Sequence, residues 1–116
     1  MSLVGEQAAF LHDVVKLRQF ATAAGFVVTG GELWRSPEQQ AIYYKTGRSK
    51  TLDSNHLKRL AIDLNFFKDG VLCYDAAALR LVGDYWQSLD PKNRWGGNFK
   101  SIKDLPHFER NLGGRA

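Results

Sequence analysis

The chain has 116 residues, 44% of them apolar and 24% charged, with no low-complexity tract, internal repeat or apolar run of membrane-spanning length, which argues against a disordered, solenoid or membrane protein. Its length fits one domain, residues 1–116, with a modest core and no second module. Sixteen Lys and Arg against twelve Asp and Glu give a net charge of +4, which suits an anionic polymer or nucleic acid, although the basic residues are scattered as on any solvated surface.

The N-terminal M-S-L-V-G-E-Q has no basic segment followed by an apolar stretch and a cleavage site, so the product is expected to accumulate in the cytoplasm of the producing cell. Residues 6 to 24 carry Phe10, Val14, Leu17, Ala21 and Ala24 at three- and four-residue intervals, the stripe of an amphipathic helix, with Gly25 placed to cap it. His12 lies off the stripe and reads as a surface residue. Phe26 to Thr29 reads as a strand, broken by a turn or bulge at Gly30-Gly31 and resumed through Glu32 to Arg35. Ser36-Pro37-Glu38-Gln39 then supplies an N-cap, a first-turn proline and a capping-box glutamine for a helix from Pro37 to about Lys45, stopping near Gly47. The polar Gly47 to Asp53 segment is expected to be a mobile loop near a cleft.

The next stretch, S-N-H-L-K-R-L-A-I-D from Ser54 to Asp63, carries the chemistry. Leu60, Ile62, Leu64 and Phe66 alternate with Ala61, Asp63 and Asn65, the period of a strand with one buried face. A straight strand would hold His56 and Asp63 about 23 Å apart, and a helix would leave them about 10 Å apart along its axis. They can share an ion only if the chain folds back around Leu57 to Arg59. The plainer alternative is a surface His56 and a solvated Asp63.

Asp69-Gly70 predicts a hairpin turn into Val71-Leu72-Cys73. Cys73, the single cysteine, excludes an internal disulfide and reads as a buried structural thiol. Asp75 is expected to cap a helix through about Ser88, with Leu79, Val82 and Trp86 on its inner side. Trp95-Gly96-Gly97-Asn98-Phe99 lacks the lysine and helix of a phosphate loop. Pro106 biases Leu105 away from helix, so Asp104 to His107 forms a bend into a short strand, His107-Phe108-Glu109. Two imidazoles and one carboxylate with a spare carboxylate have the makeup of a catalytic zinc site, since structural zinc fills its positions with Cys and His.

S-x-H-x-x-x-x-A-x-D at Ser54 to Asp63, followed by D-x-x-H-F-E at Asp104 to Glu109, resembles the zinc peptidases of bacterial cell-wall peptides. These include D-Ala-D-Ala carboxypeptidases, dipeptidases and the phage L-alanyl-D-glutamate endopeptidases, with the Hedgehog/DD-peptidase fold. The resemblance runs from about Gly25 to Glu109. It implies an α+β domain, a small antiparallel sheet packed against helices, holding one Zn2+ ion. It also implies that His56, Asp63 and His107 are the ligands and Asp104 the general base. W-R-S-P-E-Q-Q resembles the family's R-x-x-x-Q segment, which makes Arg35 a substrate or oxyanion contact and Gln39 its neighbour. W-G-G-x-F would form the cleft wall leading to Asp104. Where the family usually has glycine, three residues after the first histidine, this chain has Arg59.

Ser54 is read as orienting His56 or binding substrate, since no base stands beside it to make it a nucleophile. Glu109 competes with Asp104 for the role of base; two residues from His107 on one strand face, it can instead orient that imidazole. The expected function is hydrolysis of peptidoglycan stem peptides by a monomeric enzyme, most simply a phage or prophage endolysin cutting the L-alanyl-D-glutamate bond. Alternatives are D-Ala-D-Ala carboxypeptidase activity and a non-catalytic wall-binding module of the same fold. Neither nucleic acid nor membrane is expected as a partner; a nucleic-acid binder would show affinity falling steeply with salt.

Overall fold

The computed structural model describes residues 2–49, 54–100 and 102–113. Helix α1 spans Leu3–Ala23, with Ser2 Oγ accepting from Gly5 N at its start, and Gly25 takes φ +97° just past its end. Its stripe of Phe10, Val14, Leu17 and Ala21 is buried as expected, and His12 is exposed. Strand β1, Val27–Gly30, follows. Helix α2, Pro37–Lys45, starts where the cap predicted, Ser36 Oγ accepting from Gln39 N at 3.0 Å. A 3-10 turn, Asn55–Lys58, leads into strand β2, Ala61–Lys68. Asp69 and Gly70, both at positive φ, turn the chain into β3, Val71–Leu72. Asp75 caps helix α3, Ala76–Leu89, through Ala77 N. Strands β4, Asn93–Trp95, and β5, His107–Arg110, complete the fold.

Among the described residues the five strands form one antiparallel sheet in the order β1-β2-β5-β4, with β3 paired to the far end of β2. The expected α+β architecture of a small antiparallel sheet packed on helices is therefore present. Two of the sequence expectations need correction, and one strand was not anticipated. No strand resumes over Glu32 to Arg35. Instead Gly31 N donates to Asp63 O, while Asp63 N donates to the Glu32 carbonyl, so two residues face one. This is the bulge expected at the glycines, and it turns the chain away from the sheet rather than returning it to strand. Strand β4 went unanticipated because three residues, N-R-W, are too few for a period to show. Cys73 is half-buried rather than buried, because it packs on the margin of the core. Of the expected loop, 50–53 lie outside the described residues.

One face of the sheet is closed by α1 and α3. Phe10 meets Trp86 edge-on, Trp86 meets Phe108, and Phe66 meets Phe108 and Phe26, an aromatic chain with centroid distances of 5.6 to 6.0 Å. The buried Trp86 Nε1 donates to the Arg94 and Glu109 carbonyls, and Trp95 Nε1 to Leu105 O, so the large rings enter the core without an unmet donor. The strand alternation places Leu64 and Phe66 in this core and sends Asp63 to the opposite face. Ala61 is also fully buried, being small and paired directly with Glu109 on β5.

Glu6 anchors α1 to the end of β5, accepting from Arg110 Nε at 2.7 Å and Lys92 Nζ at 3.0 Å. These hydrogen bonds, that to Lys92 first and that to Arg110 second, hold the Glu6 carboxyl below its usual range. A depressed folded-state pKa gives stability present above the unfolded value, near 4.5, and lost as pH falls through the folded one. Glu6→Gln is accordingly expected to lower Tm at pH 7 and to narrow the gap between pH 7 and pH 3. Thermal melts at the two pH values read this; an unchanged gap would mean that the pair is fully solvated in effect.

Candidate active site

His56 returns to Asp63 through the sharp turn that the spacing required. Ser54 Oγ accepts from His56 N at 3.2 Å, and Leu60 N closes back on Asn55 O at 3.0 Å. The turn is completed by Arg59 at φ 54°, ψ 38°, in the left-handed region. Where the resemblance led one to expect glycine, the backbone is left-handed with a side chain attached. An L-residue there costs about 1–2 kcal/mol, offset in part by the Arg59 guanidinium lying 5.6 Å from the Trp34 ring centroid, worth about 0.5–1 kcal/mol when exposed. Arg59→Gly should therefore stabilise the fold by roughly 0.5 kcal/mol and raise Tm by a few degrees, read by calorimetry; a lower Tm would show that the Trp34 contact outweighs the strain.

Asp63 and His107 are brought together by register, as direct cross-strand partners of β2 and β5. His56 Nε2 lies 3.5 Å from Asp63 Oδ1, and His107 Nδ1 lies 3.7 Å from the same oxygen. One ligand atom from each of the three residues fits within 4.8 Å. Tetrahedral zinc with bonds near 2.0–2.1 Å separates its ligands by about 3.3 Å, so these spacings suit one ion.

The orientation of each ring supports the same reading. His56 Nδ1 meets the Leu33 carbonyl at 3.0 Å, which makes it the protonated nitrogen and leaves the Nε2 lone pair facing the cleft. His107 Nε2 meets Glu109 Oε1 at 2.7 Å, leaving Nδ1 for the same point. Buried His56 Nε2 and Asp63 Oδ1 find no hydrogen-bond partner among the described residues. Acceptors left unsatisfied this way are costly unless a cation takes them. The donor set therefore fits a divalent metal, with the two imidazoles each held by a partner outside it.

Electrostatics follow from this packing. Burial opposes charge on Asp63, yet His107 and His56 outweigh it and hold its carboxyl well below the usual range. Burial likewise opposes charging His107, but Asp63 and Glu109 prevail and push it up to about 9. Burial raises Asp104, against the pull of the His107 charge. Burial also acts on Glu109, where the His107 hydrogen bond wins and lowers it. Asp104 Oδ2 stands 4.0 Å from His107 Nδ1 with about half of its side chain exposed, whereas Glu109 is almost fully enclosed and also ion-paired to Arg94 at 3.2 Å.

These groups open into a cleft of about 670 Å³, also lined by Arg35, Ser54 and Phe99. The W-G-G-x-F segment packs against the Asp104 bend as expected. Asp104 N donates to Gly96 O at 2.9 Å, and a Cβ on Gly96 would collide with the Asp104 carbonyl oxygen. Arg35 is braced by Glu32 Oε1 at 2.6 Å and Gln40 Oε1 at 2.7 Å. Gln39 is not among the cleft-lining residues; α2 is wound so that buried Gln40, the next residue, supports Arg35. The only sequence signal for Gln40 was its place beside Gln39. Arg48 and Tyr43 also line the cleft and were not anticipated, because neither lies in a motif.

Fold and site together define a small α+β protein with a two-histidine, one-aspartate candidate metal centre opening into a cleft. A family model described as D-alanyl-D-alanine carboxypeptidase matches residues 47–110, more than half of the chain, and the chain belongs to this family of M15 peptidases. It is also similar to the crystal structure of the Serratia marcescens L-Ala D-Glu endopeptidase ChiX, with a TM-score of 0.68 and 26% identity, covering 85% of this chain and 78% of that one. No curated protein matches the sequence.

Proposed function

We propose that this chain is a zinc-dependent peptidase of peptidoglycan stem peptides that cuts the bond between L-alanine and D-glutamate. The observation that carries this reading is the convergence of His56, Asp63 and His107 on one point, with two of their buried acceptors unsatisfied. Family membership and the likeness to the endopeptidase support it. His56 Nε2, Asp63 Oδ1 and His107 Nδ1 would hold the ion. Bound there, zinc supplies Lewis acidity, bringing the pKa of water towards neutrality and polarising the scissile carbonyl. Asp104, exposed to the cleft and raised by burial, takes the proton of the attacking water and passes it to the leaving amine. Glu109 keeps His107 Nε2 protonated and the ring aimed. Arg35 gives its Nε and one hydrogen bond from each terminal nitrogen to Glu32 and Gln40, leaving one further proton on each terminal nitrogen for a peptide carboxylate or oxyanion. Ser54 shapes the turn that carries His56.

The description of the matching family supports a second reading, removal of terminal D-alanine. Mass spectrometry of purified peptidoglycan digested by the zinc-loaded protein separates the two. New L-Ala carboxyl and D-Glu amino ends are expected; free D-Ala without them would reverse the assignment, and bound but intact wall would leave a binding module.

A further inference from the structure

Beside the C-terminal end of α2 stands an arginine, Arg48, that the proposed chemistry does not use. Tyr43 holds two guanidinium groups against its ring, those of Arg35 and Arg48, each 4.6 Å from the centroid. The two cations therefore stand no further apart than twice that distance. The chain bearing Arg48 is pinned to the helix: Arg48 N and Ser49 N both donate to the Tyr43 carbonyl, at 2.9 and 3.0 Å. Gln40 Nε2 donates to Ser49 Oγ at 2.9 Å while its Oε1 accepts from Arg35. One buried glutamine thus fixes the spacing of both arginines.

Their electrostatic situations differ. Arg35 is already countered by Glu32, whereas Arg48 is exposed and has no carboxylate partner among the described residues. Lys103, a further cation lining the cleft, lies 3.5 Å from the Gly97 carbonyl oxygen. An anion entering the cleft gains most from a guanidinium that no described carboxylate counters and that is held against an aromatic face.

We propose that Arg48 is a specificity-determining contact. It receives a second carboxylate of a peptide whose first anionic group lies against Arg35, so the cleft selects a free acid beside the cleaved amide over a carboxamide at the same place. This rests on the peptidase reading given above and deepens it to a substrate class.

The test compares L-alanyl-γ-D-glutamyl-L-lysine, whose glutamyl α-carboxylate is free, with the same peptide amidated at that group. The zinc-loaded protein is expected to favour the acid by about five- to tenfold in kcat/KM, as for a charge pair partly covered by substrate. Arg48→Gln should bring the acid-to-amide ratio close to one, and Arg48→Lys should retain part of it. A wild-type ratio near one, or an Arg48→Gln protein that loses both substrates by the same factor, would overturn the proposal. Calorimetric binding of both peptides in an Asp104→Asn background separates the two claims. If neither peptide is cut by the parent protein but the binding preference still depends on Arg48, the carboxylate-binding role of Arg48 stands and the peptidase reading fails. Cleavage of both with a ratio indifferent to Arg48 removes this inference and leaves the peptidase reading in place.

Discussion

His56→Ala is expected to bind zinc more than a hundredfold more weakly than the parent chain and to lose lytic activity. The loss should exceed the 10- to 100-fold typical of removing a group that merely orients a ligand. The residue is one of three candidate ligands among the described residues, and its Nε2 has no other partner among them. Zinc content after dialysis against a competing chelator gives a readout separate from activity. His56 is also buried, so near-ultraviolet circular dichroism must accompany the measurement; His56→Cys, which restores a thiolate zinc ligand, controls for packing by recovering metal content. A His56→Ala protein retaining one equivalent of zinc and its activity would dismantle the proposed centre.

Asp104→Asn should behave differently. The substitution keeps size and shape but removes the proton acceptor, so kcat should fall by about 10²- to 10⁴-fold while zinc content and KM hold. Loss of metal instead would make Asp104 a ligand. Glu109 offers a contrast, because both carboxylates lie within reach of His107. Glu109 binds Nε2 at 2.7 Å, is enclosed and is shared with Arg94, so its lone pairs are spent on positioning. Of the two carboxylates, Asp104 is the one that combines exposure with a place in the cleft beside the three candidate ligands. Glu109→Gln should therefore weaken zinc binding by about 10- to 100-fold, with activity recovering at excess zinc. Full lytic activity in Asp104→Asn would instead remove the base assignment.

Much of this arrangement was legible in the chain because its determinants are local. Ser36 and Asp75 cap the helices they were read to cap, Asp69-Gly70 turns the hairpin, and the alternation from Leu60 to Phe66 correctly sent Asp63 to the face opposite the core. The impossibility of joining His56 to Asp63 by straight strand or helix required a fold-back, and the turn is found there. The details that went unread depend on contacts between distant segments. The resemblance pointed to Gln39, but the winding of α2 from Pro37 presents Gln40 to Arg35. Three-residue β4 exists because β5 offers it a partner, a reason its own residues do not carry. Arg48 gains meaning only once the chain after α2 folds back on Tyr43.

The three candidate ligands come from a turn, a central strand and the strand beside it, and the chain between the first and the last is roughly fifty residues long, a large loop to close. With one cysteine, the molecule has no disulfide to cross-link that span. A bound ion would act as a removable clasp, narrowing the freedom of the unfolded chain and tying endurance to metal supply. Scarcity of zinc would then cost this protein its resistance to heat and proteolysis along with its chemistry.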